Sequence, residues 1–188
     1  MMTIAEFMHE VHENTKAHGW WDKPRSERGV RALIVSEWIE ALEEARGKGR
    51  MAYEGEDGKP EGIAVELMDG CIRILDWLGH IGYNDSCMPE KITDMIWNGR
   101  GNIKIQCVGK EDELGVFYTA EDMPVDVLVD VLDEMTMKST GGYRAYAYIQ
   151  AMSIACAWVD AHGLDPEKLM LDKHEYNKTR PYKHGKQF

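Results

Sequence analysis

Apolar residues recur at helical spacing through most of the first eighty positions. Ile4, Phe7, Met8 and Val11 return every three or four residues, so residues 2–18 are predicted to form an amphipathic helix that ends in the 19–24 segment, with its glycine and proline. A second helix is expected from about Ser26 to Arg46. Ser26 suits an N-cap, alanine, leucine and glutamate dominate the run, and Gly-Lys-Gly at 47–49 closes it. Beyond a polar loop at 54–60, a third helix is expected from about Glu61 to His80. Its apolar face carries Ala64, Leu67, Met68, Cys71, Leu75 and Leu78, and Gly79 and Gly82 terminate it. Helical patterns return at 125–137 and 143–162, and Asp165-Pro166-Glu167 opens a last helix reaching Tyr176 or Arg180. Between 83 and 143 the pattern weakens. There Ile103, Ile105 and Cys107 alternate with polar residues, and the segment predicts a small irregular or β-hairpin insert. The expected architecture is an all-α helical bundle, a single domain over residues 1–188.

Polar residues on these helices carry the candidate chemistry. At about 100° per residue, Glu40 and Glu44 fall near Glu37, on the same stripe as Val30, Leu33, Ile34 and Ala41, whereas Glu43 points away. A carboxylate on an inward stripe must be protonated, paired or bound to a cation. The other side of this helix is also apolar, through Val35, Trp38, Ile39 and Leu42, so the helix is expected to be covered on both faces, in one arrangement by a second copy of the chain. On the third helix, Glu66, Asp69, Arg73 and Trp77 share the side opposite Leu67, Cys71, Leu75 and Leu78. If the two helices pack antiparallel, Glu37, Glu40, Glu66 and Asp69 converge and require a cation. An all-oxygen donor set suits magnesium, with manganese as a substitute, and argues against zinc. The paired motifs, ExxE and ExxD, are separated by the 25 residues 41–65, and this pairing is far more specific than either motif alone.

Charge narrows the ligand. With 33 acidic and 22 basic residues the net charge is −11, which disfavours a general binder of nucleic-acid polymers or anionic membranes. Against that balance, residues 173–188 carry five lysines and arginines and one acid. Lys173, Asn177 and Arg180 lie three and four residues apart, on one side of a helix, where they could grip a polyphosphate; Arg73 is a further phosphate candidate, with a salt bridge to Asp69 or Asp76 as the plainer alternative. The four cysteines lack metal-site spacing and read as reduced packing residues. The N-terminus does not resemble a secretory signal and no apolar run approaches the roughly 20 residues that span a bilayer. A cytoplasmic location is expected, including a host cytoplasm if the chain is phage-encoded.

The ExxE–spacer–ExxD pattern on consecutive helices resembles that of the MazG-like nucleotide pyrophosphohydrolases, members of the all-α NTP pyrophosphatase group that also includes dimeric dUTPases. The likeness extends to HENTKAHGWWD before the second helix, KPEGIAVELMDGCIRILD around the second pair and KHEYNKTRPYKHGKQF at the end, and covers roughly residues 4–82 and 160–188. The segment from 83 to 143 is longer than such proteins imply. The resemblance implies a magnesium-dependent hydrolase that splits an NTP or dNTP at the α-phosphate into the monophosphate and pyrophosphate. It also implies metal ligands at Glu37, Glu40, Glu66 and Asp69, a KxxxNxxR element at Lys173, Asn177 and Arg180, and a homodimer or higher homo-oligomer. Glu40 or Glu44 would serve as proton acceptor. Two other readings stand beside it: a non-catalytic helical dimer whose insert binds a partner, and a dUTPase or dCTPase of narrow specificity. Di-iron, zincin and Nudix sites fail on motif spacing, the last because Ile39 stands where the Nudix helix needs arginine.

Overall fold

The computed structural model describes residues 2–83 and 144–185, together with Val127, Leu128 and Leu132, which are helical. The hairpin expected near 103–119 and most of the helix expected at 125–137 lie outside the described residues. The chain forms two compact units, Met1–Cys87 with Lys168–Phe188, and Met88–Glu167. Among the described residues the structure is mostly helical, and no helix is long and apolar enough to cross a membrane.

The first unit opens with α1, Ile4–Ala17. Its first turn is held by a reciprocal capping box: the Thr3 hydroxyl accepts from the Glu6 amide at 3.2 Å, and the Glu6 carboxylate accepts from the Thr3 amide at 2.7 Å. Helix α2, Glu27–Arg46, starts where the sequence predicts, with Ser26 Oγ accepting from the Gly29 amide at 3.1 Å. The polar connector contains structure that the sequence pattern does not reveal. Strands β1, Tyr53–Glu54, and β2, Pro60–Glu61, pair antiparallel with Tyr53 opposite Glu61. Two-residue strands are too short to show alternation, so nothing in the pattern marks them.

Helix α3, Ile63–His80, begins at Gly62 without a side-chain cap. Instead, the amides of Ile63 and Ala64 donate to the carbonyls of Arg50 and Met51 at 3.0 and 2.9 Å, so backbone from the connector satisfies the first turn. Gly62 has φ of 119°, and a Cβ there would come within 2.7 Å of the Met51 carbonyl oxygen. Both facts require glycine.

The sequence predicts one apolar face for α3, but the helix is enclosed nearly all round. Every residue from Ile63 to Ile72 is buried, as are Ile74, Leu75 and Leu78. It is the central element, packed against both α1 and α2. Helix α2 runs antiparallel to it: Glu37 meets Arg73, the Trp38 indole donates to the Leu67 carbonyl at 3.2 Å, and residues 50–51 meet 63–64. This close approach depends on Gly70, where a Cβ would fall against the indole ring of Trp38.

The second unit contributes α4, Arg144–Ala161, in which residues 147–156, Trp158 and Val159 are buried. Helix α5, Pro166–Thr179, follows, with Pro166 in the first turn as its sequence predicts, and from Lys168 onward belongs to the first unit. There Met170, Lys173, His174 and Asn177 are buried, and the His174 ring meets Phe7 of α1 edge-on at 5.3 Å. Cys71 and Cys156 are both buried.

Candidate metal centre

The antiparallel crossing of α2 and α3 brings carboxylates from both helices together. Glu37, Glu40 and Glu66 each offer an oxygen within 4.8 Å of the others. Glu37 and Glu66 are buried and Glu40 is exposed, so the cluster has an enclosed floor and an open side. Asp69 stands one turn beyond Glu66, buried, outside that group of three; its Oδ2 lies 3.4 Å from Lys173 Nζ. Glu44 accepts from the Tyr53 hydroxyl at 3.1 Å, while Glu43 is exposed.

Two cations serve these acids. Arg73 Nε donates to Glu37 Oε1 at 2.7 Å and its Nη2 lies 2.6 Å from the same oxygen, so Glu37 is the ion-pair partner where the sequence offered Asp69 or Asp76. The reason is geometric: a helical wheel gives neighbours on the same helix, and Glu37 comes from the facing one. Lys173 is 2 % exposed and donates to both oxygens of Glu66 at 3.2 and 3.3 Å and to the Pro60 carbonyl at 3.4 Å. Placed in the sequence as a tail cation, it lies inside the fold.

Burial and charge pull the acids apart electrostatically. Burial pushes the Glu66 carboxyl up to about 7, against the opposing pull of Lys173. Burial likewise raises Glu37, and the negative charge of Asp69 adds to it. For Asp69 burial also acts upward, but Lys173 and Arg73 outweigh it and hold the carboxyl below its ordinary value. Burial would strip Lys173 of its proton, yet Asp69 and Glu66 raise its affinity for it, so it stays an ammonium.

Asp69 also borders a small cleft among α1, α3 and α5, lined by Arg73, Asp76, Asn177 and Arg180 and by Thr15 and His18 of α1 and its end. Asn177 is 8 % exposed, and its Oδ1 is buried with no hydrogen-bond partner among the described residues. Arg180 lies just past the end of α5, where its carbonyl accepts from His18 Nε2 at 3.0 Å. Thus Asp69, Arg73, Asn177 and Arg180 share one cleft, whereas Lys173 is placed on the carboxylates behind it.

One group at the cleft escapes the sequence pattern. Asp76 accepts from the Thr15 hydroxyl at 2.6 Å, the Trp21 indole at 2.9 Å and His12 Nδ1 at 2.8 Å, and Trp21 stacks on His80 at 3.8 Å. The HGWW run in the loop after α1 is the available signal, but what it faces depends on how α1 docks on α3.

The cluster fits a hard divalent cation. Its donors are all oxygen, they lie close together, and the exposed side leaves room for water and phosphate oxygens. No family model matches the chain, and searches of curated proteins and of solved structures find none similar to it.

Proposed function

We propose that the protein is a magnesium-dependent nucleoside triphosphate pyrophosphohydrolase of the MazG-like type, acting on an NTP or dNTP at the α-phosphate. The observation that carries this reading is the convergence of Glu37, Glu40 and Glu66 from two antiparallel helices beside a cleft containing Arg73 and Arg180. Acid clusters are common on helices, but this one is half buried and borders cations able to receive phosphate. Glu37, Glu40 and Glu66 would hold the metal, with Asp69 next to them. A bound divalent ion supplies Lewis acidity and neutralises charge on the phosphates; manganese would substitute.

The protein's own groups then divide the remaining work. Arg180 and the amide of Asn177 orient the polyphosphate in the cleft. Glu40, exposed at the open side, offers one oxygen to the metal and with the other takes a proton from the attacking water; Glu44 is already engaged by Tyr53. Water oxygen bonds to the α-phosphorus, the bridging bond to the β-phosphate breaks, and pyrophosphate leaves. Arg73 opposes the upward pull of burial on Glu37 and fixes its carboxylate in place. A homodimer is also part of this reading, supported by Ile39, 49 % exposed on the outer side of α2.

The test is release of pyrophosphate from each common NTP and dNTP with magnesium. Glu66→Gln should lower turnover by roughly a hundredfold or more while the protein stays folded. No pyrophosphate from any nucleotide, together with no metal binding, would overturn the proposal.

A further inference from the structure

Lysines are almost never enclosed, because the ammonium is strongly hydrated. Lys173 is enclosed, and its Nζ lies against oxygens: those of Glu66 at 3.2 and 3.3 Å, Asp69 at 3.4 Å and the Pro60 carbonyl at 3.4 Å. Two carboxylates and a carbonyl are the surroundings a hard metal ion would choose. Glu66 is also common to both arrangements, since it belongs to the three-carboxylate cluster with Glu37 and Glu40. An ammonium and a divalent ion on the same carboxylate repel each other strongly at low dielectric.

The two cations of this centre differ in their freedom to leave. Arg73 places two nitrogens of a planar fork on one Glu37 oxygen. Lys173 holds its acids through a single nitrogen at the end of a flexible four-carbon stem. The side of α5 that bears Lys173 continues through Asn177 to Arg180, and those two residues line the cleft that Asp69 also borders.

We infer that Lys173 is the resident counter-cation of this carboxylate centre: it competes with a divalent ion for Glu66 and Asp69, and metal entry moves its ammonium toward the cleft. This rests on the metal-dependent reading above and adds an order of events, metal before polyphosphate, with Lys173 presented to the phosphates only once displaced. Its positive charge also keeps the fold tolerant of buried acids when divalent ions are scarce.

The experiment uses the full chain and Mn2+ as the probe. Calorimetric titration compares the unmodified protein with Lys173→Met and Glu66→Gln. Removing the competing charge should tighten Mn2+ binding by on the order of tenfold or more in Lys173→Met. Equal or weaker binding in that variant would overturn the inference. Should Lys173→Met fail to fold, acetylation of the unmodified protein followed by peptide mapping decides instead. Lys173 should resist the reagent without Mn2+ and react with it present, while exposed Lys168 reacts equally in both; protection unchanged by Mn2+ would overturn the inference. If the unmodified protein binds Mn2+ and Glu66→Gln does not, but Lys173 behaves as an inert structural group, the metal site stands and only the displacement falls. If neither the unmodified protein nor Lys173→Met binds Mn2+, both fall.

Discussion

On α2 the carboxylates of Glu37 and Glu40 straddle the boundary between core and solvent, whereas on α3 those of Glu66 and Asp69 are both enclosed and both answered by Lys173. The spacing along the helix is the same in each case, three residues. The surroundings differ because α2 lies at the edge of its unit and α3 runs through the middle. Equal spacing therefore gives unequal roles: the α3 acids are bound up with the stability of the fold, and Glu40 alone faces solvent without cost to the core.

Substitutions can break that contrast. The largest expected effect is at Asp69: Asp69→Ala removes one acid from an enclosed ion pair and should cost about 3 kcal/mol of stability in chemical denaturation. A loss below about 1 kcal/mol would show that Asp69 is more hydrated than its burial implies. Next comes Gly70→Ala, which adds a methyl where Trp38 Cδ1 and Cε2 stand 2.6 and 2.9 Å away. Pushing α2 off α3 should cost about 1–3 kcal/mol and weaken metal binding as well, because the two halves of the cluster separate. Unchanged stability would mean that the indole can swing aside.

A smaller effect comes from acidity. Glu66 holds its proton up to about 7, against an ordinary value of 4.5, so between those values the folded chain binds more protons than the unfolded one. Its contribution is fully present below pH 4.5 and is lost as pH rises toward about 7. With divalent ions chelated, the melting temperature relative to Glu66→Gln should therefore fall across that window. A relative rise would contradict the burial argument. Asp69, held below its ordinary 3.8, works in the opposite direction and only in stronger acid, as it is protonated. The smallest effect is expected at Glu40. Glu40→Gln should leave stability within about 0.5 kcal/mol while cutting pyrophosphate release, so a large stability loss would erase the distinction between the two pairs.

Much of this arrangement was legible in the sequence. Helical periodicity places Glu37 with Glu40 and Glu66 with Asp69, and local chemistry sets the ends of the helices, as Ser26 does for α2 and Pro166 for α5. What periodicity cannot give is the rotation of one helix against another. Hence the helical wheel matches Arg73 to acids on its own helix and not to Glu37, and gives α3 one apolar face although neighbours surround it. Lys173 was hidden for a related reason: a lysine in a basic terminal stretch looks solvated, and only the docking of α5 shows that it is enclosed. The resemblance to MazG-like proteins adds an expected ligand set to these positions.

The start of α3 carries a consequence for how such a protein can change. Because the amides of Ile63 and Ala64 are anchored on the carbonyls of residues 50 and 51, the height at which Glu66 meets α2 is fixed by main chain that any residue supplies. The connector can then drift widely in composition, and its exposed tip around Asp57 and Gly58 can accept insertions, without altering the spacing of the acids. Gly62 is the exception. A lineage that loses that glycine loses the register of the centre, even though no acid in it has been touched.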